Sequence, residues 1–139
     1  MTQAMPAAGA DPLIGRRVLL VEDESMIAML IEDMLSEHGA VVLGPAKRLD
    51  AALALAGSEA IDLGVLDLNL AGEAVYPVAE ALARRGVPFL FMTGYGQLGI
   101  LERWRDRPSL AKPFRPSQLA DALRGLLATE GGQSGVPKD

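Results

Sequence analysis

Three carboxylates, a hydroxyl group and an ammonium group follow directly after short apolar runs of the sequence. They belong to Glu22, Asp23, Asp67, Thr93 and Lys112. Carboxylates that converge repel one another, by about 4 kcal/mol per pair at ~4 Å and an effective dielectric constant of about 20. A hard divalent cation such as Mg²⁺ removes that repulsion, and a lysine or threonine side chain suits the oxygens of a phosphoryl group. If these side chains converge, the set predicts phosphoryl transfer with a carboxylate as nucleophile.

Apolar runs alternate along the chain with segments of helical periodicity. Most runs are apolar at successive positions, which is typical of strands covered on both faces of a parallel sheet. The predicted strands are Arg17–Val21, Ala40–Gly44, Ile61–Leu66, Val87–Met92 and Ser109–Ala111. The predicted helices are one capped by Ser25 that stops at His38-Gly39, then Leu49–Ala56, Ala74–Arg85, a weakly patterned segment at about Gln97–Trp104, and a last helix opening at Pro116. This alternation predicts α/β layers with right-handed crossovers, whose strands bring ligand-binding groups to their carboxyl ends.

Length and composition narrow the class of protein. The 139 residues suit one domain, which we expect at residues 16–128 between flexible tails at 1–15 and 129–139. The net charge of −5 disfavours a nucleic-acid partner. The absence of cysteine excludes disulfides and thiol chemistry, and the single histidine, His38, disfavours hydrolytic triads. Because the sequence has no signal peptide and no membrane-spanning run, we expect a cytoplasmic protein.

The residues at the predicted strand ends resemble the receiver domain of bacterial two-component response regulators. The resemblance covers nearly everything from 16 to 128 and rests on Glu22-Asp23, Asp67, Thr93-Gly94 and Lys112-Pro113-Phe114. It implies a flavodoxin-like (βα)5 doubly wound fold, with a parallel five-stranded sheet in the order 2-1-3-4-5. It also implies phosphorelay signalling by a stand-alone domain.

The resemblance implies an acceptor and a metal site. Asp67 corresponds to the residue that takes a phosphoryl group from a phosphohistidine on a sensor histidine kinase or a histidine phosphotransfer protein. Asp23, Asp67 and the backbone carbonyl of Asn69 correspond to ligands of Mg²⁺, with Mn²⁺ or Ca²⁺ as substitutes. Glu22 corresponds to a neighbour that reaches the metal through water.

The remaining roles concern the switch. Lys112 corresponds to the phosphoryl-binding lysine, Thr93 to the switch hydroxyl, and the bond before Pro113 is expected to be cis. Many receivers carry an aromatic switch residue where this chain has Ser109. The segment from 88 to 96 is similar to an alphaproteobacterial subfamily with a Phe-Ala-Thr-Gly-Tyr type segment, so we expect Tyr95 to respond instead, between two glycines.

Other readings of the same residues are an aspartyl-phosphate phosphatase, a flavin or nucleotide binder, and a pseudo-receiver that acts only as a scaffold. The phosphatase is disfavoured because its nucleophile usually follows the first strand, and the nucleotide binder because no glycine-rich loop follows that strand here. The complete acidic set disfavours the scaffold. We therefore expect a non-enzymatic phosphoacceptor, a monomer or weak homodimer, that switches contacts with a downstream protein and touches neither nucleic acid nor membrane.

Overall fold

The computed structural model describes residues 11–94 and 99–132. In chain order the elements are β1 (Arg17–Val21), α1 (Ser25–Glu37), β2 (Val41–Ala46), α2 (Leu49–Ser58), β3 (Leu63–Asp67), β4 (Asn69–Leu70), β5 (Glu73–Ala74), α3 (Tyr76–Arg84), β6 (Phe89–Thr93), β7 (Ser109–Ala111) and α4 (Pro116–Gly132). Five strands form one parallel sheet in the order β2-β1-β3-β6-β7. Because β4 and β5 lie outside this sheet, the order is the 2-1-3-4-5 of the flavodoxin-like prediction.

Helices cover both faces of the sheet, and each face has its own apolar core. On one face, α2 and α3 pack on side chains that include Leu19, Leu66 and Phe91. On the other face, α1 and α4 pack on Val18, Leu20 and neighbouring residues. The central strands are therefore apolar at successive positions for the reason that the sequence indicated. No helix within 11–94 and 99–132 combines the length and apolarity that crossing a bilayer requires.

Element ends differ from the predicted ones by one to a few residues. Strands β3 and β6 include their terminal polar residues, Asp67 and Thr93, which the prediction placed just beyond the strands. Helix α2 continues past Gly57 to Ser58. Ser25 is the first residue of α1 rather than its cap, and its hydroxyl accepts a hydrogen bond from Lys47 Nζ at 2.9 Å.

A hairpin of β4 and β5, which the sequence analysis missed, fills the stretch between β3 and α3. Its two turn residues, Ala71 and Gly72, have φ values of 52° and 90°, the left-handed backbone that two-residue hairpin turns require. The side chain of Asn69 supports the turn by accepting a hydrogen bond from the N–H of Gly72 at 2.8 Å. The hairpin delays the start of α3 to Tyr76, whereas the prediction began this helix at Ala74.

The segment between β6 and β7 differs from the weak helix predicted at about Gln97–Trp104. Residues 95–98 lie outside the described residues, and from 99 to 108 the structure has 3₁₀ conformation at Gly99 and at Glu102–Trp104 but no α-helix. Two buried side chains, Ile100 and Trp104, attach this segment to the α2/α3 face of the sheet. Since Leu101 is half exposed, the segment lacks the continuous apolar stripe that a packed helix needs.

Residues 11–15, which we expected in the N-terminal tail, are packed against the domain. Leu13 is fully buried in the α1/α4 core. The carboxylate of Asp11 accepts two hydrogen bonds from the guanidinium of Arg124 in α4, at 3.0 and 3.1 Å, and lies 2.7 Å from His38 Nδ1 at the end of α1. We call this contact of Asp11, His38 and Arg124 the N-terminal clasp. Likewise, α4 runs to Gly132, beyond the expected boundary at Ala128.

The N-terminal clasp should contribute measurably to stability. The hydrogen bonds from Arg124 hold the pKa of Asp11 well below its usual range, so its contribution is present at neutral pH and is lost as the pH falls through the folded-state pKa. We expect Asp11→Asn to lower the free energy of unfolding by about 1 kcal/mol at neutral pH. Urea denaturation measures this, with Asp121→Asn as control because Asp121 is the exposed second partner of Arg124. Equal losses in the two variants would contradict a specific role for Asp11.

Candidate functional site

Three acidic side chains meet at the carboxyl edge of the sheet. Glu22 follows β1 directly, Asp23 comes next, and Asp67 is the last residue of β3. One carboxylate oxygen from each lies within 4.8 Å of the others. Glu22 is fully buried and Asp67 is nearly so, whereas Asp23 faces the solvent side of the cluster. The three carboxylates converge, as predicted, because the neighbouring parallel strands β1 and β3 end at this edge.

Lys112 adds a positive charge to the cluster. It follows β7, and its backbone N–H donates to the carbonyl of Thr93 at 2.8 Å. Its Nζ lies 3.1 Å from Oε1 of Glu22 and 3.4 Å from Oδ2 of Asp67. Burial acts to lower the pKa of Lys112, but the two carboxylates outweigh it and raise that pKa. The bond between Lys112 and Pro113 is cis, which confirms the expectation from the sequence.

One ammonium group does not balance the charge of this site. Burial and, after it, the charge of Glu22 raise the pKa of Asp67 to about 7, because Lys112 only partly opposes them. The buried Oε1 of Glu22 has the ion pair with Lys112 but no aligned hydrogen-bond donor among the described residues. The cluster therefore has oxygen donors and an excess of negative charge, and both features fit a hard divalent cation.

Asp23 and Asn69 connect the cluster to the β4–β5 hairpin. Oδ2 of Asp23 accepts a hydrogen bond from the N–H of Ala71 at 3.1 Å. The side chain of Asn69 is used inside the turn, which leaves its backbone carbonyl as the group that the sequence analysis assigned to the metal. Asn69 lines a cavity beside Asp67. The hairpin therefore borders the acidic cluster on the solvent side.

Of the two predicted switch residues, Thr93 is among the described residues and Tyr95 is not. Thr93 is buried at the end of β6 and lines the same cavity as Asp67. Tyr95 lies outside the described residues, so its role stays a prediction. Ser109 is in β7 and is only half buried.

The sequence analysis missed one residue of this region, Tyr76. It is the first residue of α3 and lines the cavity, of about 310 Å³, that also borders Asp67 and Thr93. The signal that could have located its backbone is Pro77, because proline favours the first turn of a helix. Nothing local indicated that the hairpin turns this helix start toward Asp67.

Most of the chain is similar in sequence to known proteins. The family model described as the response regulator receiver domain matches residues 18–124. The transcriptional regulatory protein PdtaR of Mycobacterium tuberculosis is 33% identical over an alignment of 137 residues that covers 91% of this chain and 67% of that protein. These matches rest on sequence alone.

Two solved structures are similar in both sequence and fold. SdrG from Sphingomonas melonis Fr1 is 42% identical with a TM-score of 0.72, over 83% of this chain and 98% of that one. The response regulator PhyR from Brucella abortus is 30% identical with a TM-score of 0.75, over 89% of this chain and 53% of that one. The chain thus spans about half of PhyR and two thirds of PdtaR.

Proposed function

Because the chain belongs to the response regulator receiver domain family, we propose that it serves phosphorelay signalling by accepting a phosphoryl group on Asp67. The observation that carries this proposal is the placement of Asp67, a nearly buried carboxylate 3.4 Å from the ammonium of Lys112 and beside a cavity. A low-molecular-weight acyl phosphate such as acetyl phosphate, with Mg²⁺, tests it by asking whether Asp67 takes up phosphoryl.

In the proposed reaction a carboxylate oxygen of Asp67 forms a bond to the phosphorus of a phosphohistidine. The bond from phosphorus to the imidazole nitrogen breaks, and that nitrogen keeps the bonding electron pair. Lys112 lies next to Asp67, so its positive charge stabilises the negatively charged phosphoryl oxygens during the transfer. Thr93 offers a hydroxyl donor from the end of β6. The chain is on this view a phosphoacceptor that promotes its own modification rather than an enzyme acting on other molecules.

We propose Mg²⁺ as the cation of the acidic cluster, with Mn²⁺ or Ca²⁺ as substitutes. Asp23, Asp67 and the backbone carbonyl of Asn69 would hold it, and Glu22 would contact it through water. Bound Mg²⁺ supplies positive charge that keeps Asp67 ionised and attracts the phosphoryl oxygens. The excess negative charge of the cluster supports this assignment.

The partners that we propose are a histidine kinase or a histidine phosphotransfer protein as donor, and a protein as the target. The cytoplasm is the compartment where such a donor and such a target meet this chain. PdtaR is named as a transcriptional regulatory protein and PhyR as a response regulator, and both are longer than this chain.

Mg²⁺ at millimolar concentration is expected to raise the unfolding temperature. A ligand that binds only the folded state stabilises it by mass action, by about 1.4 kcal/mol at ten times its dissociation constant. Asp23→Asn should remove most of this gain, because Asp23 supplies one of the three clustered oxygens. Thermal unfolding with and without Mg²⁺ measures the effect.

The matched control for the metal is Glu24→Gln. Glu24 is an exposed acidic neighbour that is not one of the clustered residues, so this variant should keep the full response to Mg²⁺. A wild-type protein that shows no response would contradict the proposed metal site.

A further inference from the structure

An aromatic residue is part of the lining of the cavity beside Asp67. Asp67, Thr93 and Gly94 border it near the acidic cluster, and Tyr76 borders it where α3 begins. Its volume of about 310 Å³ exceeds what one phosphoryl group occupies. A group that is bound to Asp67 and extends into this cavity therefore comes close to Tyr76, which lines the same cavity.

Tyr76 holds the segment between β6 and β7 through two contacts. Its hydroxyl oxygen accepts a hydrogen bond from the N–H of Leu101 at 2.8 Å. Its ring stacks on Trp104, with centroids 6.4 Å apart and planes inclined by 11°. The ring also meets Phe91 edge-on at 6.0 Å, and Phe91 lies on the same face of β6 as Thr93, because alternate residues of a strand share a face. Tyr76 thus contacts both the strand that bears Thr93 and the segment that follows it.

The bond between the Tyr76 hydroxyl and the N–H of Leu101 is exposed to solvent. In the bond with Leu101 the oxygen is the acceptor, and among the described residues no acceptor receives the O–H of Tyr76. A phenolic hydroxyl can donate one hydrogen bond as well as accept. Phosphoryl oxygens are strong acceptors, so a phosphoryl group on Asp67 offers this hydroxyl an acceptor that can replace solvent.

Trp104 is placed to register any movement of Tyr76. Its side chain is buried against Phe89 and Phe91, at centroid distances of 5.9 and 6.2 Å. It is the single tryptophan of the chain. A second attachment of the same segment, the ion pair between Arg103 and Glu80 at 3.0 Å, does not involve Tyr76.

We infer that Tyr76 is the positioning residue that carries the phosphorylation of Asp67 to the Leu101–Trp104 segment. The inference rests on the proposed function. Phosphorylation draws the Tyr76 hydroxyl toward the acceptor site, which weakens its bond to Leu101 and its stacking on Trp104. Ser109, which occupies the place of the usual aromatic switch residue, has no ring to perform this task. The relay is therefore an aromatic residue of α3 rather than of the last strand.

The emission of Trp104 in the full chain tests this inference. With acetyl phosphate and Mg²⁺, the wild type should show emission at longer wavelength and stronger quenching by acrylamide, and Asp67→Asn should show neither. Tyr76→Phe keeps the ring and removes the hydroxyl. It should take up phosphoryl as the wild type does, keep the unphosphorylated spectrum, and lose the change on phosphorylation.

Glu80→Gln is the matched control, because it releases the same segment from α3 without touching Tyr76, and it should retain the change. Phosphoryl uptake, read by intact mass, separates the two levels of failure. If wild-type Asp67 takes up no phosphoryl group, the proposed function is wrong. If Asp67 is phosphorylated but Trp104 does not respond, or Tyr76→Phe responds fully, the relay is wrong. Loss of the response in Tyr95→Phe together with its retention in Tyr76→Phe would place the relay on Tyr95 instead.

Discussion

The Asp67→Asn variant is expected to take up no phosphoryl group from acetyl phosphate and Mg²⁺, whereas the wild type takes up one. An amide cannot serve as the nucleophile, since its oxygen carries no negative charge and its nitrogen is not basic. Among the described residues, Asp67 is the carboxylate that combines burial, the contact with Lys112 at 3.4 Å and a bordering cavity. Intact mass spectrometry counts the added groups, and their loss in acid distinguishes an acyl phosphate from a phosphoester.

Asp106→Asn provides the control for this experiment. Asp106 is exposed and is not one of the clustered acidic residues, so this variant should be labelled as the wild type is. Labelling of Asp67→Asn at the wild-type rate would show that another residue is the acceptor.

Asp67→Asn is also expected to be more stable than the wild type at about pH 8 without metal, by a few kcal/mol. Burial first, and then the charge of Glu22, raise the pKa of Asp67 from 3.8 to about 7 in the folded state. A difference of this size corresponds to about 4 kcal/mol at full ionisation, as an order of magnitude. Asp67 loses its proton near pH 4 in the unfolded chain and near pH 7 in the folded protein. Between these pH values the unfolded state therefore binds fewer protons than the folded state. Stability therefore falls as the pH rises through this window and then levels off.

Urea denaturation in the presence of a chelator, at several pH values between about 4 and 8, measures this difference. The gap between Asp67→Asn and the wild type should grow through the window, and Mg²⁺ should narrow it at the alkaline end. Asp106→Asn should follow the wild type throughout. A gap that does not change with pH would mean that the cost of ionising Asp67 is not what separates the two proteins.

The arrangement of the acidic cluster could be predicted because it depends on local patterns. Successive apolar residues define β1, β3 and β6, and parallel strands must end at one edge. Once the strands are placed, Glu22, Asp67 and Lys112 can only converge. Their burial and mutual distances then follow from side chains of ordinary length at adjacent strand ends.

The hairpin and the Tyr76 contacts could not be predicted in this way. Strands β4 and β5 have two residues each, too few for a periodic pattern. Their turn needs Ala71 in the left-handed region, and alanine carries no signal for it. The bond of Leu101 to Tyr76 joins residues 25 positions apart, so it depends on the finished packing rather than on any local preference.

The N-terminal clasp escaped prediction for a related reason. The stretch around Asp11 is rich in proline and glycine and lacks apolar periodicity, which is typical of a tail. What fixes this stretch is the burial of Leu13 and the guanidinium of Arg124, which comes 113 positions later. The local sequence of a tail does not differ from that of a turn anchored by a residue at the opposite end of the chain.

The N-terminal clasp places Asp11, where the described residues begin, in contact with Arg124 in the last helix, α4. From Arg124 to Gly132, α4 continues for eight residues, which is about 12 Å at 1.5 Å per residue. A linker of a few residues therefore spans the two attachment points. We therefore expect the domain to tolerate insertion into a surface loop of a host protein, and circular permutation through a short linker. The Asp11–Arg124 contact is what keeps the two attachment points near each other.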